Sequence, residues 1–186
     1  MGKLIVISAP SGAGKTSIVK FLLSKIDNLY FSISACSRKK RKNEINGQDY
    51  FFLSTLDFKK KIVNNEFLEW EEVYKNDFYG TLQKEVDNSI ALKKNVVFDV
   101  DVIGGLNIKR IYKKNCLSIF IAPPSLGVLE SRLHKRGSEN ADSLLVRMSK
   151  AKDEMRYQYK FDKVIVNRDL ESACLETLKL VLKFIR

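Results

Sequence analysis

The sequence has few of the residues that build disulfide frameworks, metal clusters or membrane spans. Its three cysteines, Cys36, Cys116 and Cys174, are far apart and form no Cys-x-x-Cys pair, which argues against a disulfide framework or a zinc site. We interpret the single histidine, His134, as a surface helix residue rather than a catalyst. The apolar run near the start, Leu4–Ile7, is too short for a signal peptide, and no run approaches membrane-spanning length. We therefore expect a cytoplasmic protein that does not bind or enter membranes.

Positive charge is in excess. The 186 residues fit one domain, and 33 Lys and Arg against 22 Asp and Glu give a net charge of +11. A cationic surface attracts anions such as nucleotides and nucleic acids, although solvated faces and compositional bias explain the excess equally well. Because no RNA-recognition motif is present, we expect no nucleic-acid partner. We expect a monomer or a homodimer.

Apolar strand patterns alternate with helical patterns along most of the chain. The first strand, Lys3–Ser8, precedes a helix whose apolar face comprises Ile18, Val19, Leu22, Leu23 and Ile26. Further buried strands are predicted at Asn95–Asp101, Cys116–Ala122 and Lys163–Val166, followed by helices that begin near Ile103, Ser125 and Asp169. This alternation predicts an α/β fold in which helices flank a parallel sheet on both faces.

Two stretches interrupt this alternation. Residues 34–81 are aromatic and polar, with a strand at Tyr50–Phe52 and a short helix at Leu56–Asn65 that Ser54 is expected to cap. We interpret them as a lobe inserted into a core of residues 1–33 and 82–186. The polar, glycine-containing stretch Arg136–Asp142 separates two helical runs and predicts a lid at about residues 137–147.

A phosphate-binding loop is predicted at Ala9–Thr16. It lies between the first strand and the first helix, the context that the pattern GxxxxGK[ST] requires. Its backbone N–H groups would surround phosphate oxygens, Lys15 would contact the β- and γ-phosphates, and Thr16 would bind Mg²⁺. The pattern begins with Ala9 instead of glycine, which requires a negative φ there. The predicted ATP-binding residues are Ser11, Gly12, Ala13, Gly14, Lys15, Thr16 and Ser17.

Several further blocks, in order over nearly the whole chain, indicate the acceptor. They are residues 34–41, 46–52, 65–70, 79–81, 99–101, 121–125 and 164–167. Together they resemble the guanylate kinases. The resemblance implies a P-loop α/β core with a GMP-binding lobe and a lid, and transfer of the γ-phosphoryl group of ATP to GMP or dGMP. One position departs from the family, which usually has glutamine where this chain has Ile103.

The chemistry of the lobe agrees with this resemblance. Two guanidinium groups and a phenol suit a phosphate monoester, although the basic run Arg38–Lys42 could equally be a solvated loop or an RNA patch. Guanine presents N–H donors at N1 and N2 and an acceptor at O6, so a selective pocket needs carboxylates and hydroxyls. The resemblance assigns the phosphate of GMP to Arg38, Arg41, Tyr50 and Tyr79, and its base to Ser34, Glu69, Thr81 and Asp101.

Cationic side chains and one aspartate complete the predicted site. Asp99 ends an apolar strand, as a Walker B aspartate does, and would hold Mg²⁺ together with Thr16. The alternative is that Asp99 only serves a neighbouring turn. Positive charge at the transferred group is the main catalytic need. The predicted catalytic residues are Lys15, Arg132, Arg136 and Arg147, and solvated helix arginines are the alternative for the last three.

Two other functions share parts of this pattern. A ribose-bisphosphate kinase has a similar core, but the expected guanine-binding set Glu69, Thr81 and Asp101 argues against it. A guanylate-kinase-like peptide-binding scaffold keeps the lobe without ATP chemistry, whereas Lys15 and Thr16 are intact here.

Overall fold

The structure is a computed structural model that describes residues 2–135 and 141–186. The elements, in chain order, are β1 (Leu4–Ser8), α1 (Lys15–Lys25), β2 (Leu29–Phe31), β3 (Ala35–Cys36), β4 (Phe51–Phe52), α2 (Thr55–Val63), β5 (Phe67–Tyr74), β6 (Asp77–Leu82), α3 (Gln83–Ala91), β7 (Asn95–Asp99), α4 (Val102–Tyr112), β8 (Cys116–Ala122), α5 (Leu126–Lys135), α6 (Ala141–Met155), β9 (Lys163–Val166) and α7 (Leu170–Ile185).

A five-stranded parallel sheet forms the centre, in the order β2-β7-β1-β8-β9. Side chains alternate between the two faces of a strand, so Ile5 and Ile7 of β1 contact a different apolar cluster from Leu4 and Val6. Helices α1, α5 and α7 contribute to the first cluster, and α3 and α4 to the second. The predicted α/β fold with helices on both faces is confirmed.

A second sheet lies within residues 35–82, in the order β4-β3-β6-β5. Strands β5 and β6 form an antiparallel hairpin. Helix α2 packs on this sheet through Phe58, which stacks on Phe67 with ring centroids 4.3 Å apart. The hydroxyl of Ser54 accepts a hydrogen bond from the N–H of Asp57 and caps α2, as predicted. The lobe boundaries 34–81 and the lid boundaries stay predictions.

Some sequence-based element assignments were wrong. The strand predicted at Asn95–Asp101 ends at Asp99, because the side chain of Asp101 accepts a hydrogen bond from the N–H of Gly104 and starts α4. Strand β2, the β5–β6 hairpin and helix α3 were not predicted.

Candidate nucleotide-binding site

The loop between β1 and α1 has the backbone shape of a phosphate-binding loop. Gly12 and Gly14 have φ values of 90° and 101°, which residues with a Cβ rarely adopt. A Cβ on Gly14 would also lie 2.3 Å from Nδ2 of Asn167. Ala9 is not among the residues with positive φ, and its methyl group is buried in the core. Alanine is therefore accommodated at the first position of the pattern without strain.

Lys15, Thr16 and Asp99 converge at the carboxyl end of the sheet. Nζ of Lys15 lies 2.6 Å from Oδ1 of Asp99 and donates to the carbonyl of Val100 at 3.0 Å. Burial disfavours the charged amine, but the attraction and hydrogen bond of Asp99 outweigh it and raise the pKa of Lys15. The hydroxyl of Thr16 donates to Oδ2 of Asp99 at 3.3 Å. Mg²⁺ at nucleotide sites takes one or two protein oxygens with phosphates and water, so this hydroxyl and carboxylate fit the ion.

A cavity of about 290 Å³ joins this loop to the second sheet. Twelve of the residues predicted for the site line it: Ser11, Gly12, Gly14, Lys15, Thr16, Ser34, Tyr50, Glu69, Tyr79, Asp99, Asp101 and Arg147. Other predicted residues lie outside its lining: Ala13, Ser17, Arg38, Arg41, Thr81 and Arg132. Arg136 falls outside the described residues. The fold thus brings most of the predicted ATP and GMP residues to one cavity.

Buried carboxylates form one end of the cavity. The β5–β6 hairpin places Glu69 opposite Thr81, whose hydroxyl donates to Oε1 of Glu69 at 2.6 Å. Burial raises the pKa of Glu69 to about 7, and the charge of Asp101 adds to this effect while the hydrogen bonds of Thr81 oppose it. The other oxygen, Oε2, lies against Gly104, where a Cβ would come within 2.4 Å. Glu69 therefore packs against the first turn of α4, directly beside Asp101.

Of the two arginines of the lobe that are predicted to bind phosphate, Arg38 is held tightly by its neighbours. Arg38 lies over the ring of Tyr50 at 5.0 Å, and its Nε donates to the hydroxyl of Tyr79 at 3.1 Å. Its Nη1 and Nη2 donate to the two carboxylate oxygens of Glu44. These hydrogen bonds lower the pKa of Glu44 to about 2. The side chain of Arg41 is exposed, and its backbone N–H donates to Glu44 at 2.8 Å.

The two described lid-region arginines contact the loop differently. Nη1 of Arg147, on α6, donates to Oγ of Ser11 at 3.2 Å. Nη2 of Arg132, on α5, donates to the carbonyl of Asn167 at 3.0 Å, and Nδ2 of Asn167 donates to the carbonyl of Ala13 at 2.7 Å. Arg132 is thus linked to the loop through Asn167. His134 is exposed, as predicted.

Three acidic residues of this region were not predicted from the sequence. Glu44 holds Arg38, Glu154 of α6 lines the cavity, and Glu71 faces Asp101. The alternation of β5 could have indicated Glu71, because it lies two residues after Glu69 and thus on the same strand face. No comparable pattern marks Glu44 or Glu154, which reach the site through the folding of separate segments.

Comparison with known proteins decides the family. A family model described as guanylate kinase matches residues 1–183. The chain belongs to the guanylate kinase family. The ribose-bisphosphate kinase alternative has no support from this match, and the guanylate kinase resemblance of the sequence is confirmed.

Individual guanylate kinases are similar over nearly the whole chain. A guanylate kinase from Bacteroides thetaiotaomicron is 50% identical over 184 residues, which cover 99% of this chain and 90% of that protein. One from Porphyromonas gingivalis is 47% identical over 186 residues, covering 100% and 99%. The crystal structure of guanylate kinase from Anaplasma phagocytophilum superposes with a TM-score of 0.80 at 27% identity, covering 99% of this chain and 86% of that one. The guanylate kinase fold therefore extends over both sheets.

Within residues 2–135 and 141–186, no helix has the length and apolar character that crossing a bilayer requires.

Proposed function

We propose that this chain transfers the γ-phosphoryl group of ATP to GMP, and also to dGMP, giving ADP and the corresponding diphosphate. The observation that carries the proposal is that one cavity is lined by both the phosphate-binding loop and the carboxylates Glu69 and Asp101. The loop suits the phosphates of the donor, and the carboxylates suit the N–H groups at N1 and N2 of guanine.

The loop binds and orients the donor. Its backbone N–H groups and its polar side chains surround the phosphates. The predicted set is Ser11, Gly12, Ala13, Gly14, Lys15, Thr16 and Ser17. Lys15 contacts the β- and γ-phosphates, and Arg147 reaches the same loop through Ser11. Arg132, on α5, and Arg136, just before the predicted lid in the sequence, add positive charge. Phosphoryl transfer depends mainly on such positioning and charge.

Thr16 and Asp99 would hold Mg²⁺. At this position Mg²⁺ would neutralise part of the negative charge of the phosphates. Asp99 also pairs with Lys15, so the same carboxylate orients the ammonium that serves the phosphates.

The second sheet binds the acceptor. Arg38, Arg41, Tyr50 and Tyr79 supply donors to the phosphate of GMP, while Ser34, Glu69, Thr81 and Asp101 recognise its base. Arg38 is pre-oriented by Tyr79 and Glu44. No general base is needed, because the attacking phosphate oxygen is already anionic at neutral pH.

Adenine lacks the N1 and N2 donors of guanine, so the carboxylates of Glu69 and Asp101 would lose the N–H partners that guanine offers them. Sites of this kind reject such analogues by roughly 10⁴–10⁵. The test is an ADP-release assay with ATP, Mg²⁺ and GMP, dGMP or AMP in turn. We expect turnover of GMP and dGMP and none of AMP, and equal turnover of AMP would refute the proposal. A peptide-binding scaffold would turn over none of them.

The proposal also covers the cellular setting. We place the enzyme in purine nucleotide metabolism in the cytoplasm, acting on small molecules as a monomer or homodimer, without nucleic-acid or membrane partners.

A further inference from the structure

Glu71 lies on the strand face that carries the proposed base-binding residues. In the β5–β6 ladder, Glu69 pairs with Thr81 and Glu71 pairs with Tyr79. Opposite residues of an antiparallel pair and residues two apart along a strand share a face. Glu71 therefore belongs to the same surface as these three residues, yet the proposed function gives it no role.

The carboxyl groups of Glu71 and Asp101 line one cavity, and a hydrogen bond between the two side chains is among the causes that raise the pKa of Glu71. Two carboxyl groups can form such a bond only when one of them holds a proton. Among the described residues, no N–H or O–H group donates to the buried Oε2 of Glu71. An ionised carboxylate needs more hydrogen-bond donors than a carboxylic acid, which donates its own O–H. The missing donor at Oε2 therefore agrees with a Glu71 that donates its O–H to Asp101.

The surroundings of Glu71 favour its neutral form. Burial and the hydrogen bond to Asp101 raise the pKa of Glu71 to about 8; Glu154 of α6 adds to this and Lys150 of the same helix opposes it. Apolar side chains of Val73 and Ile103 line the cavity that Glu71 and Asp101 share. Glu71 is therefore the member of this pair that we expect to hold the shared proton.

Asp101 is fixed by contacts on two sides. Its Oδ1 accepts the N–H of Gly104 at 2.9 Å, and its carbonyl accepts the hydroxyl of Ser8 at 2.9 Å. These bonds hold the backbone and one carboxylate oxygen at the start of α4. The bond from Glu71 adds a contact from the second sheet, which ties the orientation of this carboxylate to strand β5.

We propose that Glu71 is a positioning residue for guanine recognition: it donates a hydrogen bond to Asp101 and holds that carboxylate toward the N–H donors of the base. The inference rests on the proposed function, which places Asp101 against guanine. Glu71 itself need not touch the nucleotide.

The test compares Glu71→Ala, Glu71→Gln and the control Glu72→Ala with the unaltered protein. Glu72 is exposed and occupies the next position of the same strand. Steady-state KM values are measured for GMP at saturating ATP and for ATP at saturating GMP. We expect Glu71→Ala to raise KM for GMP about tenfold, as loss of one buried hydrogen bond does, with KM for ATP unchanged. Glu71→Gln keeps an N–H donor and should restore KM for GMP to within about twofold of the unaltered protein.

Selectivity gives a readout that general damage to the fold would not move. Inosine monophosphate lacks the 2-amino group of guanine. The ratio of kcat/KM for GMP to that for inosine monophosphate should fall in Glu71→Ala and stay unchanged in Glu71→Gln and Glu72→Ala.

Three results would overturn the inference: an unchanged KM for GMP in Glu71→Ala, a Glu71→Gln variant as weak as Glu71→Ala, or parallel increases in both KM values. If the unaltered protein fails to phosphorylate GMP, the proposed function fails and the inference with it. Turnover of GMP by the unaltered protein with unaffected Glu71 variants overturns the inference alone.

Discussion

At the scale of single residues, Lys15 is proposed to serve the donor nucleotide and not the acceptor. Its ammonium lies between Asp99 and the carbonyl of Val100, at the phosphate-loop end of the cavity. Glu69, at the opposite end, accepts a hydrogen bond from the hydroxyl of Thr81 behind it. The two ends can therefore be tested separately.

We expect Lys15→Ala to lower kcat by about 10³ or more, since it removes a positive charge from the transferred group. The affinity for GMP should stay within about threefold of the original, because Lys15 takes no part in holding Glu69 or Thr81. An ADP-release assay measures the first effect and calorimetric titration with GMP the second. Lys20→Ala, an exposed change on the same helix, is the control. Loss of GMP affinity in Lys15→Ala would contradict the assignment.

Thr81 supplies a buried hydroxyl that orients a carboxylate. Thr81→Val removes the donor to Oε1 of Glu69 while keeping a side chain of similar shape, so KM for GMP should rise about tenfold. Thr81→Ser keeps the hydroxyl and should behave nearly as the original protein does. Steady-state kinetics with GMP and ATP varied in turn measure both. An equal effect of the two variants would show that the methyl group of Thr81, not its hydroxyl, matters.

At the scale of elements, the sequence predicts the central sheet well. Strands β8 and β9 have the predicted bounds, and β1 and β7 differ only at an end, because buried parallel strands form continuous apolar runs. The end of β7 was missed because it depends on the cap that Asp101 forms. Strand β2 is an edge strand of three residues and offers too short a pattern.

The β5–β6 hairpin escaped prediction for a different physical reason. Its cavity-facing positions carry the carboxylates Glu69 and Glu71, while Trp70 between them is 44% exposed. The usual alternation of apolar inside and polar outside is therefore reversed. The family resemblance identified Glu69 as a site residue although strand β5 was not predicted. It did not supply Glu71 or Glu44, whose contacts with Asp101 and Arg38 depend on the tertiary fold.

Asn167, the residue that follows strand β9, supports the phosphate-binding loop through its buried side chain. Nδ2 of Asn167 donates to the carbonyl of Ala13 at 2.7 Å, and the backbone carbonyl of Asn167 accepts a hydrogen bond from Arg132. Asn167→Ala should raise KM for ATP several-fold, with KM for GMP unchanged, and should cost about 1–2 kcal/mol of the free energy of unfolding. Kinetics and urea unfolding measure these effects, with the exposed Arg168→Ala as control. A rise of KM for GMP alone would refute this role.

At the scale of the whole molecule, carboxyl groups from two regions lie in the cavity and in the one beside it. Burial, the largest cause for each, raises the pKa of Glu69 and Glu154 to about 7 and that of Glu71 to about 8. In the opposite direction, Arg38 lowers the pKa of Glu44 to about 2. The ordinary value for all four is 4.5. The functional site is thus built from groups that titrate differently in the folded and unfolded chain.

These shifts predict how stability depends on pH. A carboxyl group with a raised pKa in the folded state stabilises fully below about pH 4.5, and this contribution is lost as pH rises through its folded pKa. Glu44 behaves in the opposite way, and its contribution is lost as pH falls from about 4.5 through about 2. Between about pH 5 and 8, therefore, Glu69, Glu71 and Glu154 should lower the free energy of unfolding as pH rises.

Urea unfolding at constant ionic strength across about pH 5 to 8 measures this slope. Glu154→Gln removes one of the three titrating groups, so its slope should be shallower, because one proton fewer distinguishes the folded from the unfolded chain. Glu72→Gln removes a carboxylate from an exposed position and should leave the slope as it was. A free energy of unfolding that stays flat or increases over this range, or a slope that Glu154→Gln does not change, would mean that these carboxyl groups are ionised in the folded protein. Glu71 would then lack the proton with which it is proposed to orient Asp101.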